Sequence, residues 1–303
     1  MTCHTRIILP LLLLAGRALA DDSDSADVPL VFKVLHYYPN KAAAVIFAGL
    51  YLITGLVIFR HVRSYGDSWG MCLPIGIICM VIGYTVRFVE VISDSFKDSI
   101  GMYSFQTFFI LCSPAAFLAF NYTLYGRVVV QCIGSQYSII RPERIAKIFV
   151  ISDVTTFFLQ AIGGGLSATS NANMTKLGTK LAIVGLVAQG VSYAFFLFVV
   201  MTTHRRYISS HSAHARYHEV WWNVMWLLYF SSVPIMIRSI YRIAEFAQGS
   251  SGYLVTHEIF FYGLDGLPLL IAVLCYAVRW PGQYITETSE TYKMNLGSSI
   301  SVV

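Results

Sequence analysis

Charge is what this sequence has little of. Asp, Glu, Lys and Arg make up only 12% of its 303 residues, against 56% hydrophobic residues, whereas soluble globular domains run near a quarter charged. With a mean hydropathy of +0.63, the apolar content is more than a soluble core can use, so a water-soluble globule is excluded. Other absences narrow the function. No G-x-x-x-x-G-K-[ST] loop is present, so the chain does not hydrolyse ATP itself. No lysine lies near the middle of an apolar block, which removes the Schiff-base attachment of a retinal protein. A metal-dependent membrane hydrolase would converge several His and Asp ligands, and only His204 and His257 fall near block ends. No catalytic residue, resident metal or cofactor is therefore expected. The cysteines form no framework: Cys3 lies in a leader, Cys72, Cys79, Cys112 and Cys275 in apolar blocks, and Cys132 in a connection. The net charge of +5 comes from scattered residues rather than a basic surface interleaved with aromatics, so nucleic acid is not an expected partner. Repeats, heptads and low-complexity tracts are also missing.

What is present is hydrophobicity in blocks of about twenty residues, the length a helix needs to cross a bilayer. Seven spans are predicted, at 42–59, 68–93, 101–126, 145–167, 178–203, 222–246 and 256–279. The fold class is thus an all-α integral membrane bundle of seven transmembrane helices occupying residues 42–284. Before it, a ten-residue apolar run from Ile7 to Gly16 and the motif Ala18-Leu19-Ala20 predict a cleaved signal peptide over 1–20, with an uncleaved anchor as the alternative. Residues 21–41 then form an extracellular segment and 285–303 a cytoplasmic tail.

Orientation follows from the arginines and lysines of the connections. One side carries Arg60, Arg63, Arg127, Arg141, Arg144, Lys147, Arg205, Arg206, Arg216, Arg279 and Lys293; the other carries only Lys33, Lys41, Lys97, Lys176 and Lys180. The first side is the expected cytoplasmic one, with the N-terminus outside and the C-terminus inside. The sequon Asn173-Met174-Thr175 then falls outside, where Asn173 can be glycosylated. A second sequon at Asn121 lies within a span and should stay unmodified. Trp69, Trp221, Trp222, Trp226 and Trp280 all sit at inner span ends, as an interfacial belt would place them.

Ionisable residues within the spans are the candidate functional residues, since each costs about 3 kcal/mol near mid-membrane if unpaired. Arg87 and Glu90 are spaced i, i+3 on the second span. Arg238, Arg242 and Glu245 follow i, i+4, i+7 on the sixth, and Glu258 and Asp265 i, i+7 on the seventh. Each set makes one helix stripe, and all of them fall in the outer half or near the middle. Asp153, with Gln160 at i+7 on the fourth span, lies toward the inner half. Two readings stand: structural ion pairs that lock helices together, or a polar-floored cavity open to the outer leaflet or exterior. Both require the second, sixth and seventh spans to pack together. Asp265, flanked by Gly263 and Gly266, is the leading candidate for a functional carboxylate.

Pro74, Pro114, Pro234 and Pro268 interrupt four spans, and Gly163-Gly164-Gly165 closes the fourth. These residues either kink helices around a cavity or serve ordinary packing. His211, His214 and His218 have helical spacing in an inner connection but no firm fourth ligand, which favours a solvated loop over a metal site. Cys132 is a candidate for palmitoylation from its position alone.

Several motifs occur in order along six spans. They are Ile82-Gly83-Tyr84 with Arg87, Ser113-Pro114-Ala115-Ala116-Phe117, Ile148-Phe149-Val150 with Asp153, Gln160 with the glycine triplet, and Gly185-Leu186 with Gln189. The most specific runs from Arg238-Ser239-Ile240-Tyr241-Arg242 through Glu245, Gln248, Gly249 and Gly252 to Glu258, Phe261-Tyr262 and Asp265. In these the chain resembles the fungal lipid-translocating exporter family over roughly residues 38–284. The resemblance implies outward movement of sphingoid long-chain bases, or resistance to amphiphilic sterol-like toxins, in the plasma membrane or an endomembrane such as the vacuole. Two departures stand out: Trp280 precedes Pro281-Gly282 where the family commonly has His, and Gly263-Leu264 precede Asp265 where a bulkier pair is usual.

A long-chain base is a cationic amine on a hydrocarbon tail, so Asp265, Glu258, Glu245 and Glu90 are candidates to receive the amine while apolar faces take the tail. The expected partners are membrane lipids and an amphiphilic cationic substrate; the oligomeric state is left open. The alternative is a seven-helix receptor or sensor that regulates lipid asymmetry or stress response without moving cargo.

Overall fold

Helix α1, Lys41–Tyr65, begins where the Asn40 side chain accepts from the Ala42 N–H at 2.9 Å and ends at Gly66, whose φ of 70° closes the last turn. Apart from a few inward positions such as Tyr51 and Ile58, its surface is exposed and apolar, with Ile53 63% and Leu56 61% accessible. That surface has no protein against it and suits lipid. A single three-ten turn, Ser68–Met71, leads into α2, Cys72–Ile92. Then come α3, Ile100–Val128, which runs on into a π-helical turn at Val129–Ile133; α4, Pro142–Ser167; α5, Ala172–Ser210; α6, Trp221–Gln248; and α7, Glu258–Val278. The coordinates, a computed structural model, describe residues 40–93, 100–167, 171–210, 221–249 and 252–284. Among the described residues there are no strands, and 7 helices are long and apolar enough to cross a membrane. The protein is an integral membrane protein. The expected leader at 1–20, the segment before Asn40, His211, His214, His218 and the tail 285–303 lie outside the described residues, as do Cys3, Lys33, Lys97, Arg216 and Lys293.

Consecutive helices are neighbours, and α7 returns to α1 to close the ring; α3 runs through the interior and touches α2, α4, α5 and α6. The α4–α5 seam is the closest. A Cβ on Gly163 would lie 2.5 Å from the Ala182 amide nitrogen, and one on Gly178 would collide with the Ser167 amide, so only glycine permits this approach. Gly164 and Gly165 have open space around them, and the helix continues to Ser167. Gly163 therefore packs against α5, and the triplet does not unwind the helix. Helix α5, with 39 residues, is about 58 Å long, roughly twice the thickness of the hydrocarbon core.

The two ends of the bundle differ. One, the basic end, carries Arg60, Arg63, Arg127, Arg141, Arg144, Lys147, Arg205, Arg206 and Arg279, with Asp67 and Glu143 as its acids among the described residues. The opposite, or far, end carries the stripes on α2, α6 and α7. The tryptophans at the basic end do not form a simple lipid-facing belt. Trp221 and Trp280 are 1% exposed, while Trp226 is 55% exposed. Asp67 accepts from the indole N–H groups of Trp69 at 2.9 Å and Trp280 at 2.7 Å, which draws both rings inward against Phe120. Trp280, held by this part-buried acceptor, is packed inside the bundle rather than at the lipid interface.

Candidate functional site

The far-end stripes converge. Asp265 lies two turns into α7, in a π-helical stretch at Phe261–Gly266 that widens the helix locally. Its side chain is 0% exposed. Arg242 grips it with two parallel bonds, Nε to Oδ1 at 2.7 Å and Nη2 to Oδ2 at 2.8 Å, the strongest geometry available to this pair. Arg238, one turn back on α6, brings its Nε to 2.8 Å from the same Oδ1. The next residue, Gly266, lets the wall close: a Cβ there would collide with the Tyr84 hydroxyl, and the Gly266 carbonyl accepts from Tyr51 at 2.7 Å.

Above this core the other charges form an outer tier. Arg242 Nη1 donates to Glu245 at 3.0 Å, and the Tyr241 hydroxyl reaches the same carboxylate at 3.3 Å. Arg87 donates to Glu258 at 3.2 Å and lies 4.6 Å from the centre of the Phe261 ring, a cation–π position. Glu258 also accepts the Asn40 backbone N–H with both oxygens, at 2.9 and 2.8 Å, tying the start of α7 to the start of α1. Glu90 is buried beside Gln106 of α3. With that amide oriented to satisfy both neighbours, it donates to Glu90 at 2.7 Å and accepts from Arg87 at 3.3 Å. The Glu245 and Glu258 side chains are 14% and 16% exposed. They form the accessible edge of the cluster.

Arg87, Glu90, Arg238, Arg242, Glu245, Glu258 and Asp265 thus meet in one assembly across α2, α6 and α7. Asp153 and Gln160 do not join it. The Tyr122 hydroxyl donates to Asp153 at 2.8 Å, linking α3 to α4, and Gln160 donates to Gln189 at 2.8 Å across the α4–α5 seam. Sequence reasoning missed Asn40, Tyr51 and Gln106, which complete the cluster. It also missed a central network in which Asn121 donates to Tyr193 at 2.9 Å and accepts from Tyr276 at 2.8 Å, while Tyr193 donates to Ser232 at 2.8 Å and Ser231 lies 2.6 Å from Tyr276. That network joins α3, α5, α6 and α7. The sequon at Asn121 was its one visible trace, and the residue is 1% exposed. Asn173, by contrast, lies exposed in the first turn of α5 at the far end.

A seven-helix bundle whose far end is joined by buried Arg–carboxylate pairs defines a polytopic membrane protein with an ionic cluster set into an apolar core. The family model described as "RTA1 like protein" matches residues 73–288, and the chain belongs to that family, in line with the resemblance drawn from the motifs. It is 34% identical over 203 residues to Protein RTM1 of Saccharomyces cerevisiae, covering 67% of this chain and 64% of that one. It is 31% identical over 287 residues to Protoporphyrin uptake protein 1 of the same species, covering 82% and 91%. To the Sphingoid long-chain base transporter RSB1, also from Saccharomyces cerevisiae, it is 27% identical over 189 residues, covering 51% and 50%. The chain therefore spans about half of that transporter and just under two thirds of RTM1. No solved structure matches it.

Proposed function

We propose that this protein translocates amphiphilic cationic lipids, with sphingoid long-chain bases as the substrate class, across the plasma membrane. The observation that carries the reading is the partly exposed pair Glu245 and Glu258 on the rim of the arginine-cored cluster. A primary ammonium can displace an N–H donor from either carboxylate while the inner Arg242–Asp265 pair stays intact. Relatives named as a long-chain base transporter and a protoporphyrin uptake protein support movement of amphiphiles. The arginine asymmetry supports a far end facing outward and a C-terminus in the cytoplasm.

Glu258 suggests how binding leads to movement. It holds Asn40 of α1 as well as Arg87 of α2, and the α1–α7 seam is the least extensively packed in the ring. An amine that takes Glu258 from the Asn40 N–H frees the start of α1 and opens that seam sideways for the hydrocarbon tail. A second reading, a receptor that senses such lipids without moving them, is favoured by the complete enclosure of Asp265 between two arginines. That enclosure leaves the deepest carboxylate unavailable to cargo.

Purified protein in liposomes with a fluorescent long-chain base separates the two. Catalysed flip that is lost in both Glu245→Gln and Glu258→Gln supports transport by this rim. Saturable binding without flip supports the receptor, and the absence of both rejects the substrate class.

A further inference from the structure

A cleft of about 610 Å³ runs between α6 and α7 on the outer surface of the bundle, from the basic end toward mid-membrane. Its walls are apolar: Trp226 and Phe230 come from α6, Ile271 and Leu274 from α7. Phe230 is 66% exposed. Its two strongly polar lining side chains, Asn223 in the first turn of α6 and Arg279 just past the end of α7, both lie at the basic end. Among the described residues no carboxylate lines the cleft and Arg279 has no acidic partner. From Asn223 to Phe230 is about 10 Å along the helix axis, enough for the upper part of one acyl chain.

We propose that this cleft is a binding site for an anionic membrane phospholipid, with its phosphate on Arg279 and Asn223 and an acyl chain along Trp226, Phe230, Ile271 and Leu274. Charge complementarity selects the occupant. A guanidinium with a free fork at headgroup level pairs with phosphate bidentately, and an amide beside it adds a neutral donor. A cationic long-chain base meets repulsion from Arg279, with no carboxylate among the described lining residues to offset it. A zwitterionic phospholipid brings its own cation and gains less. The site is separate from the far-end cluster, at the opposite end of the same two helices.

Native mass spectrometry of the detergent-purified protein with added phosphatidylserine or phosphatidylcholine tests the proposal. The wild type should retain phosphatidylserine preferentially. Arg279→Gln should weaken that retention by about tenfold, more than the roughly fivefold that a single diffuse surface charge supplies. Leu274→Trp should exclude the lipid by filling the cleft. Arg144→Gln, which removes an exposed arginine on α4 away from the cleft, should change nothing. Equal retention of the two lipids, equal loss in Arg144→Gln, or a dimer whose copies cross-link through Cys275 in the cleft would each overturn it. Only the last leaves a function for the cleft, as a contact between copies.

Discussion

A carboxylate held by two arginines and a carboxylate at their rim respond differently to losing charge. In Asp265→Asn, buried Arg238 loses its carboxylate and buried Arg242 keeps only Glu245 at the rim, a defect that costs about 3–5 kcal/mol. The expected outcome is a protein that unfolds well below the wild-type midpoint in detergent and is poorly expressed. Loss of function in that variant would therefore say nothing about cargo. Glu258→Gln keeps an oxygen that still accepts from Asn40 and Arg87, so its stability should fall by only about 1 kcal/mol while binding of a cationic lipid weakens at least about tenfold. Thermal unfolding followed beside lipid binding checks both. A Glu258→Gln protein that binds like the wild type would remove the rim from the mechanism. The stripes were legible because intramembrane charge is rare and helical spacing places it on one face. What spacing does not contain is which charge faces which partner. Depth and neighbouring glycines make Asp265 the leading candidate for a functional carboxylate, yet those features also describe a residue sealed by Tyr51 and Tyr84.

Glycine separates helices that must touch from those that need not. In Gly178→Val the new side chain meets the backbone of Leu166 and Ser167 rather than a movable side chain, so α4 and α5 must part, at a cost of about 1–3 kcal/mol. Gly164→Ala, inside the conspicuous triplet, enters open space and should leave stability unchanged or raise it by up to about 1 kcal/mol through helix propensity. Unfolding midpoints of the two variants decide it, and equal destabilisation by both would contradict the seam. The spans themselves were readable within a few residues because bilayer thickness fixes their length. Their continuations were not: the π-helical turn after α3 and the basic-end extension of α5 lie past the apolar blocks, where hydropathy no longer reports the helix. The π segment around Asp265 was also hidden, since it depends on how α7 meets α1, α2 and α6 rather than on local composition. Tyrosine and serine hydroxyls in spans are too common to mark a network, so the link among Asn121, Tyr193, Ser231, Ser232 and Tyr276 emerged only from their positions in space.

At the scale of the molecule, orientation and opening are linked, because the seam that would open is at the end proposed to face outside. Asn173 reports the first: Asn173→Gln should remove a glycan and increase gel mobility in a eukaryotic host, whereas the buried Asn121 sequon should contribute no glycan at all. The second needs a constraint across α1 and α7. Phe47 and Tyr262 face each other there with ring centres 4.9 Å apart, about one to two helical turns from the Glu258–Asn40 contact. With Cys72, Cys79, Cys112, Cys132 and Cys275 replaced, the pair Phe47→Cys and Tyr262→Cys can be bridged by a short cleavable bifunctional reagent. If cargo enters through this seam, bridging should reduce flip of a long-chain base to the protein-free rate, and cleaving the bridge should restore it. The matching pair Gln160→Cys and Gln189→Cys, bridged across the α4–α5 seam where those side chains already touch at 2.8 Å, should leave flip unchanged, because two helices packed backbone to backbone have no gap to open. Flip that survives the α1–α7 bridge would move the route elsewhere in the ring, and inhibition by both bridges would mean that the whole bundle must flex rather than one seam.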